Sequence, residues 1–224
     1  MVLKKINMKK QKILLVALAI AIISCSVFAV LKYEQNKKDR EFLGRLKGEV
    51  VFTRRDKDGV SNVWKINANG TGEKMLFHND LNDFKTDSRS PRWSDDGKKI
   101  YFVSFDKSKE NFLYEIDSSG LDYRINLENL KSKGECNNAS CFSRESDIIH
   151  RQGDLYIIDE NGVEIKIYNH IGYYNQDYFP GASEASWSPD KEYIIFNGSR
   201  GIMIADKHGR TAKLTDGSDA DWKY

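Results

Sequence analysis

Ala185-Ser186-Trp187-Ser188-Pro189-Asp190, running on into Glu192-Tyr193-Ile194-Ile195-Phe196, reads as a short strand ending at a tryptophan, a tight turn and a second apolar strand. Pro189 presets the backbone angle of the turn, and the side chains of Ser188 and Asp190 can bond neighbouring backbone groups. The same phrase occurs upstream as Pro91-Arg92-Trp93-Ser94-Asp95-Asp96-Gly97 before Ile100-Tyr101-Phe102-Val103. A degraded copy, Cys141-Phe142-Ser143-Arg144-Glu145, precedes Asp147-Ile148-Ile149, and a fragment, Asp219-Ala220-Asp221-Trp222, lies at the C-terminus.

A second phrase keeps step with the first. Strands rich in aromatic and aliphatic residues end in Asp or Asn and a glycine turn at Asn67-Ala68-Asn69-Gly70, Asp117-Ser118-Ser119-Gly120, Asp159-Glu160-Asn161-Gly162 and Asp206-Lys207-His208-Gly209. The acid or amide caps the turn while glycine accepts the positive φ that reverses the chain, so these acids read as structural rather than as metal ligands. With an apolar strand before and after each copy, the unit has four strands and a period of about 42–50 residues, the range of a propeller blade. The first unit lacks its own tryptophan strand and the chain ends on a spare one. The expected fold is therefore all-β: a four-bladed β-propeller over 48–224, closed by the C-terminal strand, with blades at 48–80 plus 219–224, 90–128, 139–170 and 183–216. Closure removes exposed sheet edges.

On the residues Trp93-Ser94-Asp95-Asp96-Gly97 and Trp187-Ser188-Pro189-Asp190, the chain resembles the TolB-like β-propeller repeat, a WD-repeat-like unit, over about 48–224. That resemblance implies an extracytoplasmic propeller, used in the family as a protein-interaction platform or as a gate attached to a serine peptidase. The chain departs from the pattern in having four repeats where TolB has six, and in showing neither TolB's N-terminal domain nor a peptidase domain. The resemblance thus speaks for fold and compartment, not for the task.

Ahead of the repeats, Ile13 to Leu31 is a run of nineteen residues without charge, preceded by Lys4, Lys5, Lys9, Lys10 and Lys12. As a helix it spans about 28 Å, the thickness of a bilayer's hydrocarbon core. After the basic region 1–12, this segment (13–31) is a signal-anchor, a cleavable signal with Val27-Phe28-Ala29 as the small-residue site, or a lipoprotein signal that lipidates Cys25. Its length, and its six apolar residues beyond Cys25, favour the uncleaved anchor. Residues 32–47 read as a polar stalk. All three fates put the body outside the cytoplasm, at the cell membrane, as a lipoprotein, or secreted. Cys136 and Cys141 can then close a small disulfide, or remain two thiols.

The first forty residues hold nine Lys/Arg and two Asp/Glu, leaving 26 of the 35 basic and 31 of the 33 acidic residues to a body of net charge about −5. No basic stripe interleaved with aromatics suits a phosphate backbone, so nucleic acid is not an expected partner. The connections 54–61, 78–90, 105–111, 128–140 and 170–182 read as the long, irregular ones, where function concentrates. The last carries Tyr173, Tyr174, Asp177, Tyr178 and Phe179, and aromatics on a connector offer large contact area at low entropic cost. They are the candidate partner-binding residues; the competing reading has them folding back into the channel. Asp56-Lys57-Asp58-Gly59 has the acid spacing of a calcium loop without its distal glutamate, and reads first as a hairpin turn. His78, His150, His170 and His208 are scattered; their convergence would favour the alternative, a polysaccharide lyase or hydrolase acting in the channel. No nucleophile elbow or phosphate loop is present, and no cofactor is expected. The reading is a membrane-tethered module that binds an envelope or periplasmic protein.

Overall fold

A computed structural model of the chain describes residues 2–78, 88–105, 111–120, 123–125, 148–151, 154–159, 161–168 and 183–223. Among them are one helix and fifteen strands. The chain divides into two units, Met1–Glu41 and Phe42–Tyr224.

Helix α1 runs from Val2 to Leu43. Its Leu, Ala, Lys and Ile content suits a helix, and no proline interrupts it. It is long and apolar enough to cross a membrane, and Leu15, Ile23 and Phe28 are exposed along it. The Ser24 and Ser26 hydroxyls donate to the carbonyls of Ile20 and Ile22, at 2.9 Å each. Both hydroxyls of the apolar stretch thus find a partner inside the helix, as a hydrocarbon environment demands. The helix passes unbroken through Cys25 and Ala29 into the expected stalk, as far as Leu43.

The second unit holds four antiparallel sheets. The first has the order β15-β1-β2-β3, formed by β1 (Glu49–Arg55), β2 (Ser61–Asn67), β3 (Lys74–Phe77) and β15 (Ser218–Lys223). The second is β4 (Ser88–Trp93), β5 (Lys99–Phe105), β6 (Asn111–Asp117) and β7 (Tyr123–Ile125), in sequence order. The third, β10-β9-β8, comprises β8 (Ile148–Arg151), β9 (Asp154–Ile158) and β10 (Glu164–Tyr168). The fourth is β11 (Ser183–Trp187), β12 (Tyr193–Gly198), β13 (Gly201–Asp206) and β14 (Thr211–Thr215). The expected docking of the C-terminal strand into the first sheet is present: Trp222 pairs with Val50 and Lys223 with Glu49. The third sheet has three strands among the described residues, and the degraded phrase at 141–145 lies outside them.

Among the described residues, the copies of each repeated phrase share a turn. Ser94 Oγ donates to Asp96 (2.7 Å) and accepts from the Lys99 N–H (2.9 Å), and Asp96 accepts from the Lys98 N–H (3.0 Å). Ser188 Oγ does the same with Asp190 (2.5 Å) and Tyr193 (3.0 Å), while Asp190 accepts from Glu192 (3.2 Å). A hydroxyl suits this place because its single oxygen is donor and acceptor at once. At the fifth position Gly97 has φ +65°, and Lys191 holds the same conformation at φ +58° without glycine's freedom. In the second phrase, Gly70, Gly120, Gly162 and Gly209 all lie near φ +80°, and each N–H bonds the carbonyl three residues back.

Asp56-Lys57-Asp58-Gly59 is a further copy of this turn rather than a long connector. Asp56 accepts from the N–H groups of Asp58 (2.9 Å) and Val60 (3.0 Å) and from the Asn62 amide (3.2 Å). Those bonds, led by that from Val60, hold its carboxyl below the ordinary aspartate range. Both of its oxygens are occupied by the hairpin, which is the structural alternative to the calcium loop.

Three apolar clusters join the sheets. Val50, Phe52 and Trp222 pack with Ile195, Ile202 and Ile204, joining the first sheet to the fourth. Val51, Val63 and Leu76 pack with Ile100, Phe102 and Ile116, joining first to second. Leu155, Ile157 and Ile167 pack with Ile194, Phe196 and Met203, joining third to fourth. The packing order among described residues is thus third, fourth, first, second. Leu43 and Leu46, each 5% exposed, belong to the first–fourth cluster. The compact unit therefore begins at Phe42, earlier than the expected 48. Gly48 marks the crossing of the incoming and outgoing chain: a Cβ there would sit 2.0 Å from the Lys223 carbonyl oxygen.

Candidate functional site

Tyr173, Tyr174, Asp177, Tyr178 and Phe179 lie outside the described residues, as do Cys136, Cys141 and His170. Cys25 is a free, exposed thiol within α1. The remaining histidines serve separate places. His78 follows β3 and its Nδ1 lies 3.1 Å from Asn62 Oδ1, beside the Asp56 turn. His208 sits exposed on the β13–β14 turn, and His150 is in β8, its side chain outside the described set. Among described residues, no group of three His, Cys, Asp or Glu side chains is placed to hold a metal.

What the structure does place are three junctions between sheets, with different chemistry. At the first–second junction, the edge strands β15 and β4 meet through carboxylates that serve backbone donors. Asp221 Oδ2 accepts from the Trp93 N–H at 2.8 Å and Asp219 Oδ2 from the Ser90 N–H at 3.4 Å. Thr53 Oγ1 donates to the same Asp219 oxygen at 3.0 Å. Burial raises the Asp221 carboxyl, against the opposing pull of Arg92 and of the Trp93 and Trp222 N–H groups. Ser90 and Asp219 hold left-handed φ values of 52° and 55°. They occupy equivalent places in their strands, three before the tryptophan, where β4 and β15 each slip register against the neighbouring strand. β11 slips at the same point. This bulge recurs with the repeat, but no glycine signals it in the sequence.

Lysines complete that junction. Lys65 Nζ donates to the Ser118 carbonyl (3.0 Å), Lys74 Nζ to Ser119 (2.9 Å) and Lys223 Nζ to Gly97 (2.6 Å). Each takes up a turn carbonyl of the second sheet from the first. Lys223 also lies 3.9 Å from the centre of the Trp93 ring and 3.2 Å from Glu49.

At the first–fourth junction, Arg54 is the hub. Its guanidinium binds both oxygens of Glu73 (2.6 and 2.9 Å), donates to the Asp216 carbonyl (2.9 Å) and to Thr215 Oγ1, and covers the Trp64 ring at 4.9 Å. The Arg54 bonds hold Glu73 below the ordinary glutamate range. The same junction receives the incoming chain. Phe42 packs edge-on to Tyr193, with ring centres 6.0 Å apart, and Trp222 Nε1 donates to the Lys47 carbonyl at 3.0 Å.

The third–fourth junction is built otherwise. Among the described residues a neutral pair spans it, Tyr168 Oη with Ser199 Oγ at 2.9 Å. Beside it runs an open groove of about 560 Å³, lined by Lys166, Ile167, Tyr168, Arg200, His208 and Thr211. Its lining is drawn from three separate segments at different repeat positions, so no spacing in the sequence announces it.

No family model matches the chain, and no characterised protein matches it in sequence. Solved structures with some likeness include TolB from Acinetobacter baumannii (18% identity, TM-score 0.30, covering 75% of this chain and 41% of that one). A second is a putative TolB from Agrobacterium tumefaciens (15%, 0.25, covering 76% and 43%). A third is the β-propeller domain, of open velcro topology, of the Trilobed protease from Pyrococcus furiosus (16%, 0.29, covering 75% and 55%). The chain spans about half the length of these structures or less. At these scores the likenesses are descriptive, and the reading of the fold stands on the strand order and the repeated turns.

Proposed function

We propose that the chain is a membrane-tethered, extracytoplasmic β-propeller of four blades, closed through β15, that binds an envelope or periplasmic protein and carries out no catalysis. The observation that carries this reading is the completion of the first sheet by the C-terminal strand. β15 pairs with β1 and also touches β4 and β11, which supports a closing role for it over that of a free tail. The apolar helix, long enough to cross a bilayer, supports the tether, and its length is what favours an uncleaved anchor in this reading.

The β2–β3, β6–β7, β9–β10 and β13–β14 turns are short and bonded to themselves, which leaves recognition to the longer connections. Tyr173, Tyr174, Asp177, Tyr178 and Phe179 are the residues proposed to meet the partner. In-cell crosslinking from intact membranes, with mass-spectrometric identification, tests this against a strain carrying alanines at Tyr173, Tyr174, Tyr178 and Phe179. The reading expects one envelope protein captured by the parent and lost from the variant at equal expression. Capture that survives the four substitutions removes the aromatic connection as the binding face.

A further inference from the structure

Lys4, Lys5, Lys9, Lys10 and Lys12 stand directly before the apolar run that begins at Ile13. Helix α1 carries both without a break, from Val2 into the run and beyond it. At a rise of about 1.5 Å per residue, Lys12, Lys10 and Lys9 lie within about 6 Å of Ile13 along the axis, and Lys5 and Lys4 about 12–14 Å from it. The headgroup layer on each side of the hydrocarbon is about 5–8 Å deep. With the apolar run in the hydrocarbon, three lysines fall at the depth of the lipid phosphates. The other two fall within a Debye length, about 8–10 Å, of the surface.

Nothing in this part of the chain neutralises them. The sequence has no Asp or Glu before Glu34, which is about 33 Å along the helix from Lys12. The first turn of α1 holds no acid, so the lysines also oppose the helix dipole, whose positive end lies there. A helix that breaks the local charge rule in both ways takes its compensation from outside the chain. The other end of the run differs. Lys32, Lys37, Lys38 and Arg40 are interleaved there with Glu34, Asp39 and Glu41, and Gln35 donates to Asp39 at 2.6 Å.

The register indicates the kind of anion that fits. Lys5, Lys9 and Lys12 recur at i, i+4 and i+7 and share a face of the helix, with Lys4 beside them, while Lys10 falls on another side. Cations spread round a helix match a layer of separate anionic groups rather than a single ligand held on one face. We propose that the segment from Lys4 to Lys12 binds the headgroups of anionic phospholipid in the leaflet where it emerges, gathering acidic lipid around the anchor. The proposal rests on the membrane tether of the reading above and names the lipid class that the tether takes.

The test uses the full chain in vesicles of phosphatidylcholine with about a fifth of phosphatidylglycerol. Electron paramagnetic resonance of spin-labelled phosphatidylglycerol, and separately of spin-labelled phosphatidylcholine, reads the share of each lipid immobilised beside the chain. Phosphatidylglycerol is expected to be favoured about two- to fivefold. The preference should vanish when all five lysines are changed to glutamine, and persist when they are changed to arginine. It should also collapse in about 1 M salt, where the screening length falls to about 3 Å. Changing Lys32, Lys37 and Lys38 to glutamine should leave it in place.

No preference in the parent, or an equal preference in the five-glutamine variant, overturns the proposal. So does a loss as large from the Lys32, Lys37 and Lys38 changes, which would put the selectivity at the other end of the run. Binding of soluble polyphosphate without any lipid preference overturns it too, and would make the segment a site for free anions. Each sample is first washed in alkaline carbonate. Chain retained without lipid preference overturns the proposal and leaves the tether standing, whereas chain released by the wash overturns both.

Discussion

The two flanks of the fourth sheet contrast sharply. Toward the first sheet it is stitched by Thr215 and the Asp216 carbonyl, which bind the bidentate Arg54–Glu73 pair of the first sheet. Toward the third, the described residues show an apolar cluster and a hydroxyl pair, Tyr168 with Ser199. Burial of apolar surface holds both junctions, since each contains several fully buried side chains. The difference lies in the polar groups seen among the described residues: the first–fourth and first–second junctions use theirs to fix the C-terminal strand. In this chain the place where the ends meet is the reinforced one.

The severest way to break the comparison is to remove the keystone. Ending the chain after Asp216 exposes the β1 edge and opens clusters on both sides, and the truncated chain is expected to lose its cooperative thermal transition by circular dichroism. The milder Trp222→Ala, at a side chain 6% exposed, should cost about 3–5 kcal/mol in denaturant unfolding. Next, Arg54→Ala is expected to cost about 1–2 kcal/mol, from a paired, half-buried guanidinium that also covers an aromatic ring. Arg200→Ala and His208→Ala should stay within about 0.5 kcal/mol of the parent. If Arg200→Ala proves as costly as Arg54→Ala, the two flanks are equivalent and the contrast is lost.

Asp221 sharpens the account through its pH dependence. Its carboxyl is raised by burial, so the native state takes up a proton before the unfolded chain does. The cost of the buried charge is therefore present at neutral pH and relieved as pH falls through the raised value toward about 4, the ordinary range. Asp221→Asn keeps an oxygen for the Trp93 N–H and carries no charge. It should match or exceed the parent's stability at pH 7, with the advantage shrinking as the pH falls. Asp221→Ala loses the bond and should be the less stable of the two throughout. Glu73 works in the opposite sense: its value is lowered, so its contribution is present above about 4.3 and lost below as it protonates. The smallest expected effect is a gain. Lys191 holds φ +58° where the sister turn has Gly97, and Lys191→Gly should stabilise by about 0.5–1 kcal/mol.

How much of this was legible in the sequence depended on whether a feature repeats. The Trp-Ser-x-Asp and Asp-x-x-Gly phrases located the strands around both turns, because one serine oxygen does the same work at Ser94 and Ser188 and one carboxylate at Asp159 and Asp206. The spare strand at Trp222 was readable for the same reason. The bulge at Ser90 and Asp219 was hidden, since neither residue announces positive φ as glycine would. The role of Phe42, Leu43 and Leu46 was also missed, because they sit in a stretch rich in charge that reads as a stalk. Their spacing, on one face of a helical turn, was the available signal. The lysine-to-carbonyl bonds left no trace, as a lysine that will reach a turn carbonyl across sheets looks like any surface lysine. The groove was invisible because Lys166, Arg200 and His208 occupy positions the repeat does not relate.

Native-state hydrogen exchange with mass spectrometry, on the full chain, tests most directly whether the C-terminal strand is the keystone. The account predicts that the amides of β15 exchange together with those of β1, in the slowest class, and more slowly than those of β10 in the third sheet. Rapid exchange throughout 218–223 while β1 stays protected would contradict it, and would make the C-terminal strand an appendage of a sheet that stands without it.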